Sequence, residues 1–179
     1  MTGVPLSDEG RGQAERLAAA LAREPIARIL CSPLDRTRQT ADAIAALHGI
    51  AAEPRDALVE IDMGDWTGRE LDSFAAEAAW TAWNERRGTA RIPGGETMTE
   101  AQGRIVALLD DIAAATDEAT VAIVSHADMI RGAAAQALGL PLDNLLRFDI
   151  APASVTRVVW GDWGARLMSL NERPGETGR

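Results

Sequence analysis

Apolar residues recur at helical spacing in some stretches of this chain and gather into short runs in others, and the two patterns alternate. Met1 to Pro5 opens as a loop. Ser7 followed by Asp8 and Glu9 reads as an N-cap with first-turn acids, and Ala14, Leu17, Ala18 and Leu21 form the apolar stripe of a helix that Pro25 ends. Ile26 to Cys31 is a compact apolar run that predicts a strand. Ser32-Pro33-Leu34 then leads into a helix from about Asp35 to Leu47, closed by Gly49, with His48 in its final turn. Ile50 to Glu53 and Ala57 to Ile61 read as short extended pieces around Pro54. Gly64-Asp65-Trp66-Thr67-Gly68 is a turn with an aromatic anchor, and helical segments follow from about Glu70 to Arg87, where Trp80 and Trp83 share one face for packing.

The loop Gly88 to Glu96 has the length and the glycines of a site wall. Thr97 to Ala115 is an amphipathic helix through Ile105, Leu108, Leu109 and Ile112. The run Val121-Ala122-Ile123-Val124 stops at Ser125-His126 and gives way to a helical pattern at Met129, Ile130, Ala133, Ala134 and Ala137, which reads as a buried parallel strand feeding a helix. Gly139-Leu140-Pro141 is a stop, and Leu145 to Ile150 fits no single element. Ser154 to Trp160 and Arg166 to Leu170 flank Gly161-Asp162-Trp163-Gly164 as a hairpin, and Pro174 to Arg179 reads as a frayed tail. The alternation predicts an α/β protein: one domain over residues 1–179, built as a three-layer α/β/α sandwich with a mostly parallel sheet and an antiparallel edge.

Composition narrows the partners. Of 179 residues, 46% are hydrophobic and 25% charged, close to globular averages, which argues against general disorder. The net charge is −9, from 27 acidic against 18 basic residues, and all the basic residues are arginine. Such a chain repels nucleic acid and anionic membrane, while arginines gathered in a cleft suit a small phosphate. The single cysteine, Cys31, excludes an internal disulfide and lies in an apolar run, as a buried thiol rather than a nucleophile. No signal peptide or membrane-spanning run is evident, so a cytoplasmic protein is expected.

Parallel strands deliver their carboxyl ends to one edge of a sheet, where ligands bind. Three such ends carry candidates: Ser32 with Arg36 after the first run, Glu60 after the second, and Ser125-His126 after the third. A helix N-terminus behind His126 would add N–H groups and a positive dipole end. Arg36 would neutralise phosphate oxygens, His126 would donate to another, and Glu60, its proton held by burial, would protonate a leaving alkoxide. Each residue also has a plainer reading: a polar plug at a strand end for His126, a helix-surface charge for Arg36, a solvated loop acid for Glu60. His48, in a last helical turn, is read as a partner of the helix dipole and solvent.

Ser32-Pro33-Leu34-Asp35-Arg36-Thr37-Arg38-Gln39-Thr40-Ala41 resembles the Ser-Pro-Leu-x-Arg-Ala-x-Gln-Thr-Ala signature of the histidine phosphatase, or phosphoglycerate mutase-like, superfamily. Pro5 to Ala14 is similar to its Pro-Leu-Thr-x-x-Gly-x-x-Gln-Ala helix start. Leu58-Val59-Glu60 with Gly64 to Gly68 resembles Leu-x-Glu…Gly-x-Trp-x-Gly, Pro93-Gly94-Gly95-Glu96 its Pro-Gly-Gly-Glu loop, and Ser125-His126 with Arg131 its Ser-His-Gly…Arg segment, Ala127 replacing the glycine. The resemblance implies Arg36, His126 and Ser32 as phosphate ligands and Glu60 as proton donor, with His126 also catalytic. It implies metal-independent chemistry without a cofactor, acting on a small phosphorylated substrate through a phosphohistidine.

The family's nucleophilic histidine stands in an Arg-His-Gly motif on a first strand inside the sheet, and neither precedes Pro5 here. The resemblance therefore implies a fold with its first strand missing and a sheet left with an exposed edge, at which the chain could pair with another copy. Three functions stay open. The first is a phosphatase whose nucleophile is absent from this chain, preferred to a mutase because the segment after Trp66-Thr67-Gly68 is short. The second is a non-catalytic phosphate-binding or interaction protein, and the third is a phosphoenzyme formed on His126 itself.

Overall fold

The computed structural model describes residues 3–115 and 118–174. Three parallel strands, β1 (Ile26–Cys31), β2 (Ala52–Pro54) and β3 (Thr120–Val124), lie in the order β2-β1-β3. Leu30 is opposite Glu53 on one side and Ile123 on the other. Helices α1 (Asp8–Leu21), α2 (Asp35–His48), α3 (Ala78–Glu85), α4 (Met98–Ala115) and α5 (Ala127–Leu138) surround the strands, and β4 (Val155–Gly161) and β5 (Gly164–Glu172) form an antiparallel hairpin.

The layers follow from strand alternation. Ile29 and Cys31 of β1, with Ala122 and Val124 of β3, pack toward Leu17, Leu21, Ala41 and Ile44 of α1 and α2. Leu30, Val121 and Ile123 point the other way, toward Met98, Ile105 and Leu109 of α4 and Met129 of α5. Cys31 is buried, and burial pushes its thiol pKa up, as suits an inert core residue.

The helix signals hold locally. Ser7 Oγ accepts from Gly10 N at 3.1 Å, and Gly49 closes α2 in the left-handed region. Thr97 and Glu100 cap α4 reciprocally, Thr97 Oγ1 accepting from Glu100 N at 3.2 Å and Glu100 Oε2 from Thr97 N at 2.9 Å.

Two expectations need correction. The piece Ala57 to Ile61 is not a strand: the last bond to β1 is Arg55 N donating to Cys31 O at 2.8 Å, and the chain then turns through a 3-10 segment at Asp56–Leu58. Glu60 therefore lies on a loop beyond β2 rather than at a strand end. The helical stretch from Glu70 to Arg87 reduces to a 3-10 turn at Leu71–Ser73 and the eight-residue α3, because Phe74 turns inward to stack on Trp66, centroids 5.4 Å apart. Trp80 meets both rings edge-on and Trp83 is buried, so the tryptophan pair does serve packing.

The expected parallel sheet and antiparallel pair are both present, and no ladder joins them: among the described residues β3 pairs only with β1, and β4 only with β5. Both cores nevertheless reach across, Trp160 of β4 joining the α4–α5 side and Val155 the α1–α2 side. Between β3 and β4 the side-chain layers are continuous and the backbone ladder is interrupted. Among the described residues, no helix is long and apolar enough to cross a membrane. Of the expected frayed tail only Pro174 falls among the described residues, and of the opening loop Met1 and Thr2 lie outside them.

The loop bearing Glu60 is pressed against the Pro93–Glu96 turn. Gly64, at φ +45°, would place a Cβ 2.2 Å from Pro93 O, and Gly95 would place one 2.2 Å from Asp62 O. Gly95→Ala should therefore displace the two loops and lower stability by about 1–3 kcal/mol or more. Urea unfolding measures this, and a fully wild-type midpoint would show that the crossing is not as tight as described.

Candidate phosphate site

Pairing of β1 with β3 continues one residue past the strand, Ser32 N donating to Val124 O at 2.9 Å. This sets Ser32 beside Ser125 and His126. Thr37 Oγ1 donates to Ser32 O and Leu34 O at 3.0 and 2.7 Å, tying the turn to the first turn of α2, which carries Arg36. Ser125 Oγ donates to Leu58 O at 2.8 Å and draws in the loop that ends in Glu60. The three sequence-predicted segments meet through these bonds.

His126 is the N-cap residue of α5 by backbone geometry, yet its side chain makes no capping bond. Its ring faces inward, 7% exposed, with Nδ1 3.1 Å from Arg36 Nη2 and Nε2 2.9 Å from Ser32 Oγ. A guanidinium only donates, so Nδ1 is the acceptor, and Nε2 carries the proton and donates to the buried serine. Burial, then the charges of Arg36 and Arg104, push the His126 pKa down to about 4, so the imidazole is neutral at pH 7.

Glu60 is half-buried as a residue, but its carboxyl is enclosed enough that desolvation raises its pKa to about 7. The negative charge of Asp128 acts in the same direction; a bond from Ile61 N at 3.0 Å and the charges of Arg36 and Arg104 oppose it. Glu60 and Arg36 line an open cleft of about 530 Å³ together with Leu34, Val59, Met63 and Arg104. His126 and Ser32 are not among the lining residues and join the cleft through Arg36. Of the loop Gly88 to Glu96, expected as a site wall, Glu96 lines the cleft. His48 sits about 18 Å from Arg36 along α2, given the rise of an α-helix, and its Nε2 is buried without a partner rather than solvated.

Sequence reasoning missed two groups. Arg104 of α4 uses all five N–H donors. Nη1 donates to Ala57 O and Val59 O at 2.8 and 2.7 Å, Nη2 to Glu60 O at 3.2 Å and Glu96 Oε2 at 2.9 Å, and Nε to Glu96 Oε1 at 3.0 Å. The signal was present: Arg104 falls between Ala101 and Leu108, inside the apolar stripe of its helix, where a charge needs a partner. The second group is Asp128, whose Oδ1 accepts from Arg131 at 3.0 Å and from the buried Arg87 at 3.3 Å. The spacing of Asp128 and Arg131 on one helix was legible; nothing marked Arg87.

The unfolded chain ionises a glutamate near 4.5 and protonates a histidine near 6.5. The stability that Glu60 contributes is thus fully present below pH 4.5 and lost as pH rises through 7. That of His126 is present above pH 6.5 and lost as pH falls through 4. Each amounts to something on the order of 3 kcal/mol. In urea titrations across this range, Glu60→Gln should flatten the decline between pH 4.5 and 7 and His126→Asn that between 6.5 and 4; an unchanged slope in either variant contradicts its shift.

The chain matches the model of the histidine phosphatase superfamily (branch 1) over residues 1–173. It is similar to phosphoserine phosphatase 1 of Hydrogenobacter thermophilus, 30% identical over 168 residues, which span 93% of this chain and 80% of that protein. It is also similar to "Probable phosphoglycerate mutase GpmB" of Yersinia pestis, 33% identical over 156 residues, 86% of this chain and 73% of the relative. Among solved structures, mycobacterial glucosyl-3-phosphoglycerate phosphatase in complex with inorganic phosphate superimposes with a TM-score of 0.84 at 29% identity, over 95% of this chain and 88% of that one. With the matched residues spanning both the Ser32–Arg36 turn and the Ser125–His126 strand end, this chain belongs to the histidine phosphatase superfamily.

Proposed function

We propose that the cleft binds and cleaves a small phosphate monoester without a metal ion. One observation carries the reading: an Arg36–His126–Ser32 chain adjoins a carboxyl that keeps its proton to about pH 7. The phosphate dianion competes for Arg36 Nη2 and frees His126 Nδ1. Beside the dianion the imidazole regains a second proton, since a neighbouring opposite charge favours the charged form. It then donates to a phosphate oxygen from Nδ1 while Nε2 stays on Ser32.

In the transfer step a nucleophile attacks phosphorus, the bond from phosphorus to the ester oxygen breaks, and Glu60 gives its proton to the departing alkoxide. The resulting carboxylate then takes a proton from the water that hydrolyses the phosphoenzyme. The family resemblance calls for a histidine nucleophile on a strand inside the sheet. These 179 residues hold no Arg-His-Gly motif, and His48 stands at the far end of α2. The interrupted ladder between β3 and β4 supports that gap as the position of such a strand. Arg36, His126 and Ser32 thus serve phosphate binding and Glu60 leaving-group protonation, and the attacking histidine would come from such a strand.

The relatives' names speak of phosphoserine, phosphoglycerate and glucosyl-3-phosphoglycerate. They support chemistry on a small phosphorylated metabolite without choosing among such molecules. A second reading, a phosphate-binding protein without turnover, needs only the Arg36–His126–Ser32 chain.

Two measurements separate these readings. Inorganic phosphate should bind the chain, and Arg36→Ala or His126→Ala should weaken binding roughly 10- to 100-fold, as expected for losing a charge-assisted hydrogen bond. Equal affinity in all three proteins removes the site. Hydrolysis of p-nitrophenyl phosphate in EDTA should be negligible for this chain and appear when an Arg-His-Gly strand is fused ahead of Pro5. Continued inactivity of a folded fusion supports the binding protein, and turnover by the unfused chain directs attention to His126 as nucleophile.

A further inference from the structure

Arg104 lies beneath the loop that carries Glu60, not beside a bound anion. Its bonds fall in order along that loop: carbonyls 57, 59 and 60 on one side, and on the other the carboxylate of Glu96. Glu96 Oε2 in turn accepts from Asp62 N at 2.9 Å, and Glu96 N donates to Asp62 O at 3.0 Å. Glu60 is thus bracketed on both sides by backbone groups that one guanidinium–carboxylate pair secures. Although burial opposes it, the bonds from Arg104 hold the Glu96 carboxyl below its usual range, so Glu96 is a carboxylate at neutral pH.

A surface ion pair would explain less. Both side chains are about a quarter exposed, and three of the five Arg104 donors go to backbone oxygens of a segment without regular pairing. A loop of this kind ordinarily leaves carbonyls to water. Here they converge on one planar group, whose fork geometry fixes direction as well as distance.

We propose that Arg104 is a positioning residue for Glu60: with all its donors committed to this loop and to Glu96, it fixes where the Glu60 carboxyl stands in the cleft. This rests on Glu60 as the proton donor, but its test does not require turnover. The charged groups facing Glu60 are Arg36 from α2, Arg104 from α4, Asp128 from α5 and Arg87 beyond α3. Arg104 opposes the rise in the Glu60 pKa, whereas burial and Asp128 drive it.

The test follows the Glu60 carboxyl carbon by NMR through a pH titration, with Glu60→Gln for assignment. Arg104→Met removes the donors that hold the loop, so in a variant shown folded by circular dichroism the Glu60 carboxyl leaves its enclosed place and its midpoint should fall by about 1 unit, a tenfold loss of proton affinity, because burial is the largest cause of its rise. Added methylguanidinium should reverse part of that fall. Glu96→Gln frees one side of the bracket and should also move the midpoint down, and it decides the matter should Arg104→Met fail to fold. A rise in folded Arg104→Met would mean that Arg104 acts by charge alone on a carboxyl held elsewhere, and overturns the proposal. Unchanged midpoints in folded variants overturn the proposal, while failed phosphate binding with these shifts intact would overturn the function alone.

Discussion

The parallel pairing of β1 with β3 is the constraint on which the site depends. These segments lie about ninety residues apart, and only the ladder between them, extended by Ser32 N on Val124 O, sets the serine within reach of the histidine. With that register in place, Arg36 follows from the first turn of α2 and Leu58 is drawn in by Ser125. A one-residue slip would exchange Ile29 and Leu30 between the two layers and break both cores along with the site.

Electrostatics then divides the work between two acids of opposite habit. His126 sits near arginine in a buried place and gives up its second proton; Glu60, enclosed and facing Asp128, keeps its only one. At neutral pH the cleft therefore holds Arg36 beside a carboxyl that is only partly ionised.

Much of this was legible because it is local. Ser7, Gly49 and the stripe of α1 are read from neighbours in sequence, and strand-end logic brings Ser32, Arg36 and His126 to one edge without any coordinates. The failures are tertiary. The extended reading of Ala57 to Ile61 fails because the segment finds its hydrogen bonds in Ser125 and Arg104 rather than in a neighbouring strand, and periodicity carries no trace of that choice. Trp66, Phe74 and Trp80 likewise shape the stretch after Glu70 by stacking, at the expense of the helix its composition favours. Arg104 was visible only as an anomaly, a charge inside an apolar stripe.

The interrupted ladder between β3 and β4 also bears on how the molecule comes apart. Among the described residues no backbone bond crosses it, and the hairpin is attached through its packing on α4 and α5, through Val155 in the α1–α2 core, and through Trp160 and Arg157, which reach Asp110 and Glu24. Such an attachment lets the hairpin open as a cooperative unit of its own, at a free energy below that of global unfolding. Ser32, Arg36, Glu60 and His126 all lie outside the hairpin, so their arrangement can outlast its departure.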